Sequence, residues 1–155
     1  MAVENEPDQM SLITAAAKGD EAAVKLLLVA KNVPINAKDN NGRTALCHAA
    51  RGNYNTILKR LLMVDIIDVD SRDNRGWTAL TYAVAHGNEA MVEQLLVTGQ
   101  ANVNSEGNDG RTLLSYAAGE GHEGVVKRLL MFPDIDVTAS DADNWTPLSY
   151  ASGHG

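Results

Sequence analysis

A chain of 155 residues is long enough to bury roughly two thirds of the surface its unfolded form would expose, so it can fold without staples. Its formal charge of −7 argues against a nucleic-acid backbone or an anionic membrane as the main partner, since both demand a basic face. Cys47 is the only cysteine, which rules out an intramolecular disulfide and favours a reducing compartment, and 5% aromatic content leaves the packing to small and aliphatic side chains.

Residues 1–9, MAVENEPDQ, are polar and acidic and read as a flexible tail rather than a secretory signal. The aliphatic run LLLVA, Leu26 to Ala30, is too short to span a bilayer, and the expected location is cytoplasmic, with the nucleus as the alternative. From there the chain repeats itself. Thr44, Thr78, Thr112 and Thr146 stand at equal spacings of 34, inside GRTAL, GWTAL, GRTLL and NWTPL. The same offset superposes alanine pairs or near pairs at Ala15, Ala49, Ala83, Ala117 and Ala151, leucine pairs at Leu27, Leu61, Leu95 and Leu129, and the closing Ile35, Val69, Val103 and Val137. Matched landmarks in one register specify a repeat array.

Each landmark has a physical task. Gly42, Gly76, Gly110 and Asn144 sit at turn positions that need positive φ, where a Cβ is costly and Asn is the tolerated exception. The threonine two residues later is an N-cap, and in the last unit Pro147 follows at the first helical position, where a missing N–H costs nothing. A short helix then runs to Gly19, Asn53, Gly87 or Gly121, a left-handed stop. A second helix follows with an apolar side such as Ile57, Leu58, Leu61 and Leu62. Two short antiparallel helices and a hairpin tip make a unit that cannot bury its apolar side alone, so the units must stack into an all-α solenoid. The expected units are 10–38 as an N-terminal cap, 39–72, 73–106, 107–140 and an incomplete 141–155. The last has a first helix and no second, which suggests an open C-terminal end that self-associates or continues into a longer array.

GEGHEG, Gly119 to Gly124, fits the dinucleotide-binding pattern G-x-G-x-x-G. A nucleotide loop needs a buried strand before its first glycine, and here a helix precedes it. Gly121 is the stop shared by all units, while Gly119 and Gly124 align with Arg51 and Thr56, so the pattern is an accident of one repeat.

DNNGRTALCHAARGNYNTILKRLL, Asp39 to Leu62, and GNDGRTLLSYAAGEGHEGVVKRLL, Gly107 to Leu130, closely resemble the ankyrin repeat, and the likeness covers nearly all of the chain after about residue 10. The wording also resembles long arrays of filamentous fungi. The family's proline is Ala45, Ala79 and Leu113 in three units, and its histidine after Leu is Cys47, Thr81, Ser115 and Ser149. The period exceeds the family's usual length of about 33 by one residue, placed after the second helix in segments such as MVDIIDVD.

The resemblance implies a protein-interaction module whose partner lies along a concave surface of tips and first helices. Carrying its variable contact positions over gives Asn40, Asn41, Arg43 and Arg51, then Asn74, Arg75, Trp77 and His86, then Asn108, Asp109, Arg111 and Glu120, and finally Asp143, Trp145 and His154. Lys38, Arg72 and Glu106 stand just before tips. The early half of this surface is basic and the later half more acidic, so the expected partner is a protein or extended peptide with acidic groups toward Arg43, Arg51, Arg72 and Arg75. Trp77 and Trp145 share one repeat position and read either as exposed anchors or as packing on the neighbouring tip. Tyr82, Tyr116 and Tyr150, with His48 in register, read as packing between units.

An enzyme reading finds no converging acid, base or nucleophile. The histidines are spread over separate units, His122 occupies a position where the resemblance implies a structural hydrogen bond, and Cys47 reads as a buried thiol. No cofactor, metal, nucleic acid or membrane is expected. The competing readings are a sensor or scaffold segment of a larger signalling protein, and a small-molecule or catalytic groove.

Overall fold

The computed structural model describes residues 11–30 and 32–153, so the expected tail at 1–9 and His154 lie outside the described residues. Helices α1 (Leu12–Lys18) and α2 (Glu21–Val29) form the first pair. They are followed by α3 (Ala45–Arg51) with α4 (Asn55–Leu62), α5 (Ala79–Ala85) with α6 (Glu89–Leu96), α7 (Leu113–Gly119) with α8 (Glu123–Leu129), and α9 (Pro147–Gly153). Each first helix packs on the next first helix and each second helix on the next second helix, giving an inner row α1, α3, α5, α7, α9 and an outer row α2, α4, α6, α8.

The expected caps account for where the helices begin and stop. Thr44, Thr78 and Thr112 are N-caps whose hydroxyls accept from the N–H of Cys47, Thr81 and Ser115, and Thr146 accepts from Ser149 in the same way. The residues standing where the family has histidine therefore close the cap instead. Thr81 completes a reciprocal capping box with Thr78, and the Ser115 and Ser149 hydroxyls bond those of Thr112 and Thr146. Gly19, Asn53, Gly87 and Gly121 have φ of 71, 61, 65 and 71°, and the tip residues Gly42, Gly76, Gly110 and Asn144 have φ of 75, 77, 79 and 63°.

The inner row is lined by alanine because only a small side chain lets adjacent first helices close up. Ala45, Ala49, Ala79, Ala83 and Ala117 are fully buried, and Leu80, Leu113, Ile57, Leu58, Leu61, Val92, Leu95 and Leu129 fill the space behind them. Of the closing residues, Ile35 and Val69 are buried at 8% and 3% exposure, whereas Val137 stays 49% exposed.

The tips join by a few hydrogen bonds rather than by a sheet. Backbone rungs run from the Asn74 N–H to the Asn41 carbonyl at 2.9 Å and from the Asn108 N–H to the Arg75 carbonyl at 2.8 Å. The Asn74 and Asn108 amides donate to the Asn40 and Asn74 carbonyls beside them. One antiparallel bridge, Glu106 with Thr112, is the only β pairing among the described residues. The one-residue-longer loops are clamped by polar side chains in register: Asn36 and Asn104 each bond the loop of the following unit twice, and the Asp70 carboxylate accepts the Asn102 N–H.

Candidate partner-binding face

The tip face is built on a carboxylate at the base of each turn. Asp39, Asp73 and Asp141 each turn one oxygen back onto two backbone N–H groups of their own tip, those of Asn41 and Arg43, Arg75 and Trp77, and Asp143 and Trp145. The other oxygen reaches the first helix nine residues on. It lies 2.8 Å from His48 Nε2, accepts the Tyr82 hydroxyl at 2.6 Å, and accepts the Tyr150 hydroxyl. In the fourth unit this carboxylate is replaced by Gly107, and Asp109 takes over the Tyr116 hydroxyl at 2.9 Å. A Cβ at Gly107 would come within 2.5 Å of that hydroxyl and 2.6 Å of the Asp109 carboxylate, so the glycine makes room for the substitute.

These bonds set the electrostatics. Burial works against the Asp39 carboxylate, yet the Arg43 N–H, the His48 ring and the Asn41 N–H together hold its pKa below the ordinary value. The Tyr150 hydroxyl does the same for Asp141. Burial, reinforced by the Asp73 carboxylate, pushes the Tyr82 phenol up to about 12, and burial with Asp109 raises Tyr116 as well.

Across the tyrosines lies a second register, the residue after each tip: Arg43, Trp77, Arg111 and Trp145. Arg43 donates to the Tyr82 hydroxyl at 3.0 Å and sits 3.6 Å from Asp73. Trp77 is wedged edge-on between Tyr82 and Tyr116, at 5.0 and 5.1 Å, and its indole N–H donates to the Tyr116 hydroxyl at 3.1 Å. Arg111 lies over Tyr116 at 4.5 Å and over Tyr150 at 4.1 Å. Trp145 packs on Tyr150 at 5.3 Å and keeps 44% of its surface exposed. Trp77 and Arg111 thus act as wedges between the tyrosines of neighbouring units, at the same register position one unit apart.

The expected contact residues divide accordingly. Arg43 and Arg111 are half-buried in the stack, and Arg72 is engaged by the backbone, donating to the Gly76 and Glu106 carbonyls. Arg51 and Arg75 are exposed, and neither makes a side-chain hydrogen bond or ion pair among the described residues. The Arg75 guanidinium carbon lies over the Trp77 ring, 4.0 Å from its centre. Trp77 is half-buried between units, and its ring carries that guanidinium. Asp109 and Glu120 are exposed, with Asp109 committed to Tyr116, and His86 is exposed with its Nδ1–H donated to the Tyr82 carbonyl at 2.7 Å. Sequence reasoning missed the tie between tip carboxylate and aromatic ring. Its signal was available in the recurrence of Asp and an aromatic or imidazole side chain nine residues apart.

The remaining polar groups have structural tasks. His122 Nε2–H donates to the Ala85 carbonyl at 3.0 Å, joining the third and fourth units as its position implied. The Cys47 thiol is buried, donates weakly to the Ser71 carbonyl at 3.8 Å, and has its pKa raised by burial. Within GEGHEG, Gly119 belongs to α7, and a Cβ there would meet Arg111 Nη2 at 2.8 Å and the Tyr150 ring at 3.3 Å. Its bareness therefore admits the Arg111 wedge. No cluster of three metal-ligating side chains occurs among the described residues, and no helix there is long and apolar enough to cross a membrane.

No individual curated protein matches the chain. A family model described as ankyrin repeats, three copies, matches residues 12–107 and 87–155. Proteins of this kind generally serve as protein–protein interaction modules rather than enzymes. Capped helix pairs, left-handed tips and a matched profile across both halves lead to one assignment: the chain belongs to the ankyrin repeat family.

Proposed function

We infer that the array binds an extended peptide or domain edge of a partner protein along the concave face of tips and first helices, with carboxylates of the partner directed at Arg75 and Arg51. The observation that carries this reading is Arg75, whose guanidinium is laid on the Trp77 ring at 4.0 Å with no carboxylate paired to it. A planar cation held over an aromatic face is oriented before binding, so little rotamer freedom is lost when an acidic group docks. Trp77 is itself locked between two tyrosines, which makes it a rigid anchor of the type that dominates interface energetics. Asp109, Glu120 and Asp143 lie farther along the same face and favour a peptide whose acidic end faces the second and third units.

Selection of a displayed random-peptide library on the purified chain tests this. Enriched peptides are expected to carry Asp or Glu, to bind more weakly as salt rises, and to lose at least about tenfold in affinity for an Arg75→Glu chain. Selected peptides without acidic enrichment, or ones indifferent to Arg75→Glu, would remove the assignment of this face.

A further inference from the structure

The tips of the third and fifth units are the same turn with one charge reversed. The Asp73 carboxylate accepts the N–H groups of Arg75 and Trp77 at 2.8 and 2.9 Å, and the Asp141 carboxylate accepts those of Asp143 and Trp145 at 3.0 and 2.9 Å. The backbone closes alike in both: the Asp73 and Asp141 N–H groups donate to the Trp77 and Trp145 carbonyls, and the Gly76 and Asn144 N–H groups to the Asp73 and Asp141 carbonyls. Gly76 and Asn144 share the left-handed conformation, with φ of 77 and 63°. The second oxygen of each carboxylate accepts the tyrosine hydroxyl of the following first helix. Matching turns start residue 143 from the same place beside Trp145 as residue 75 beside Trp77. Only its chemistry differs, aspartate in one and arginine in the other.

Every other tyrosine and tryptophan of these tips and first helices carries a cation. Arg75 lies over Trp77 at 4.0 Å, Arg43 over Tyr82 at 5.9 Å, and Arg111 over Tyr116 and Tyr150 at 4.5 and 4.1 Å. Among the described residues no guanidinium or ammonium covers Trp145, and 44% of its surface is exposed. The ring is nevertheless held in place, 5.3 Å from Tyr150 and against Gly153, where an added Cβ would stand 3.4 Å from the indole. Asp143 is exposed, and its carboxylate has no hydrogen bond or ion pair among the described residues. Indole is the best aromatic seat for a cation, and a guanidinium can stack on it while its N–H edge meets a carboxylate.

We propose that Trp145 and Asp143 form a subsite for an arginine side chain of the partner, with the guanidinium stacked on the indole as Arg75 covers Trp77 and its edge paired with the Asp143 carboxylate. The two tryptophan tips are then opposite poles of one face. At Trp77 the chain supplies the cation and receives an acid; at Trp145 it supplies the acid and receives the cation. This deepens the concave-face reading and rests on it for the placement of the partner, a peptide with its acidic end at the second and third units and an arginine at the fifth.

The two indole N–H signals in the NMR spectrum of the isotope-labelled full chain test the subsite. The probes are capped Gly-Arg-Gly and its neutral counterpart with citrulline in place of arginine. At equal concentration the arginine peptide is expected to move the Trp145 signal at least about threefold further than the citrulline peptide, while the Trp77 signal, already under Arg75, stays in place. Asp143→Arg should abolish the Trp145 response, because the chain's own guanidinium would then take the ring, and Arg75→Glu should leave the response intact. Both positions are exposed, so both variants should melt within a few degrees of the parent. Equal movement with the two peptides, no movement of the Trp145 signal, or a response that survives Asp143→Arg overturns the proposal. Failure of the concave-face reading looks different: selected peptides would ignore Arg75→Glu while the Trp145 response to arginine stood.

Discussion

Asp73 gathers two backbone N–H groups of its tip, the Tyr82 phenol and the Arg43 guanidinium on one buried carboxylate. Removing one donor from such a group leaves part of its desolvation cost unmet. Tyr82→Phe should therefore cost about 1–3 kcal/mol in denaturant unfolding, and Tyr150→Phe, at a more exposed position, should cost less. The same phenol makes stability depend on pH. Folding raises its pKa from 10.0 to about 12, so the folded chain holds the proton more tightly than the unfolded one. That contribution is complete below pH 10 and is lost as pH climbs toward 12, and alkaline denaturation of Tyr82→Phe should show a shallower fall over this window. The tyrosine register was legible in the sequence, but the partner of each hydroxyl was not. In the fourth unit the expected carboxylate position holds Gly107, and only the folded tip brings Asp109 within reach of Tyr116.

Among the elements, the tips are the most demanding. Gly76 has φ of 77°, and a Cβ there would stand 2.5 Å from Asn108 Oδ1 and 2.9 Å from Asn108 N of the next tip. Gly99 has φ of 67° with nothing within 4 Å. Gly76→Ala is expected to cost about 1–3 kcal/mol and Gly99→Ala about 1 kcal/mol, because the first adds a collision with the neighbouring unit to the same backbone strain. Thermal or chemical unfolding of the two variants side by side checks the difference. The caps obey shorter-range rules. Thr78→Ala should cost about 1 kcal/mol, since it removes the hydroxyl that accepts the Thr81 N–H and leaves only the backbone N–H of position 78 donating to the Thr81 hydroxyl. Caps and left-handed positions were readable without coordinates because each depends on a few consecutive residues. The packing that makes Gly76 costlier than Gly99 depends on a residue in the following unit.

Over the whole molecule, cohesion passes from unit to unit, so the effect of a core deletion depends on where it lies. Leu80 is fully buried in α5, with units stacked on both sides, and Leu12 lies in α1, the first of the described helices. Leu80→Ala should cost about 2–5 kcal/mol and separate the unfolding of the third unit from that of the last, read as diverging midpoints for fluorescence of Trp77 and Trp145 in single-tryptophan chains. Leu12→Ala should leave those midpoints together and appear as faster amide exchange in α1 and α2.

The period of 34, the caps, the left-handed tips and stops and the family pattern all follow from the order of residues, because propensity and turn chemistry act over a few neighbouring positions. The fate of the charged and apolar surface residues required the fold. Arg43, Arg72, Arg75 and Arg51 look alike as a sequence, yet the first is taken by Tyr82 and Asp73, the second by two carbonyls, and the others face outward. Val29, Met63, Val97 and Met131 close apolar stretches of the sequence, yet all four are strongly exposed at or just beyond the ends of α2, α4, α6 and α8. In each case the deciding neighbour sits one unit away in space, and only stacking places it there.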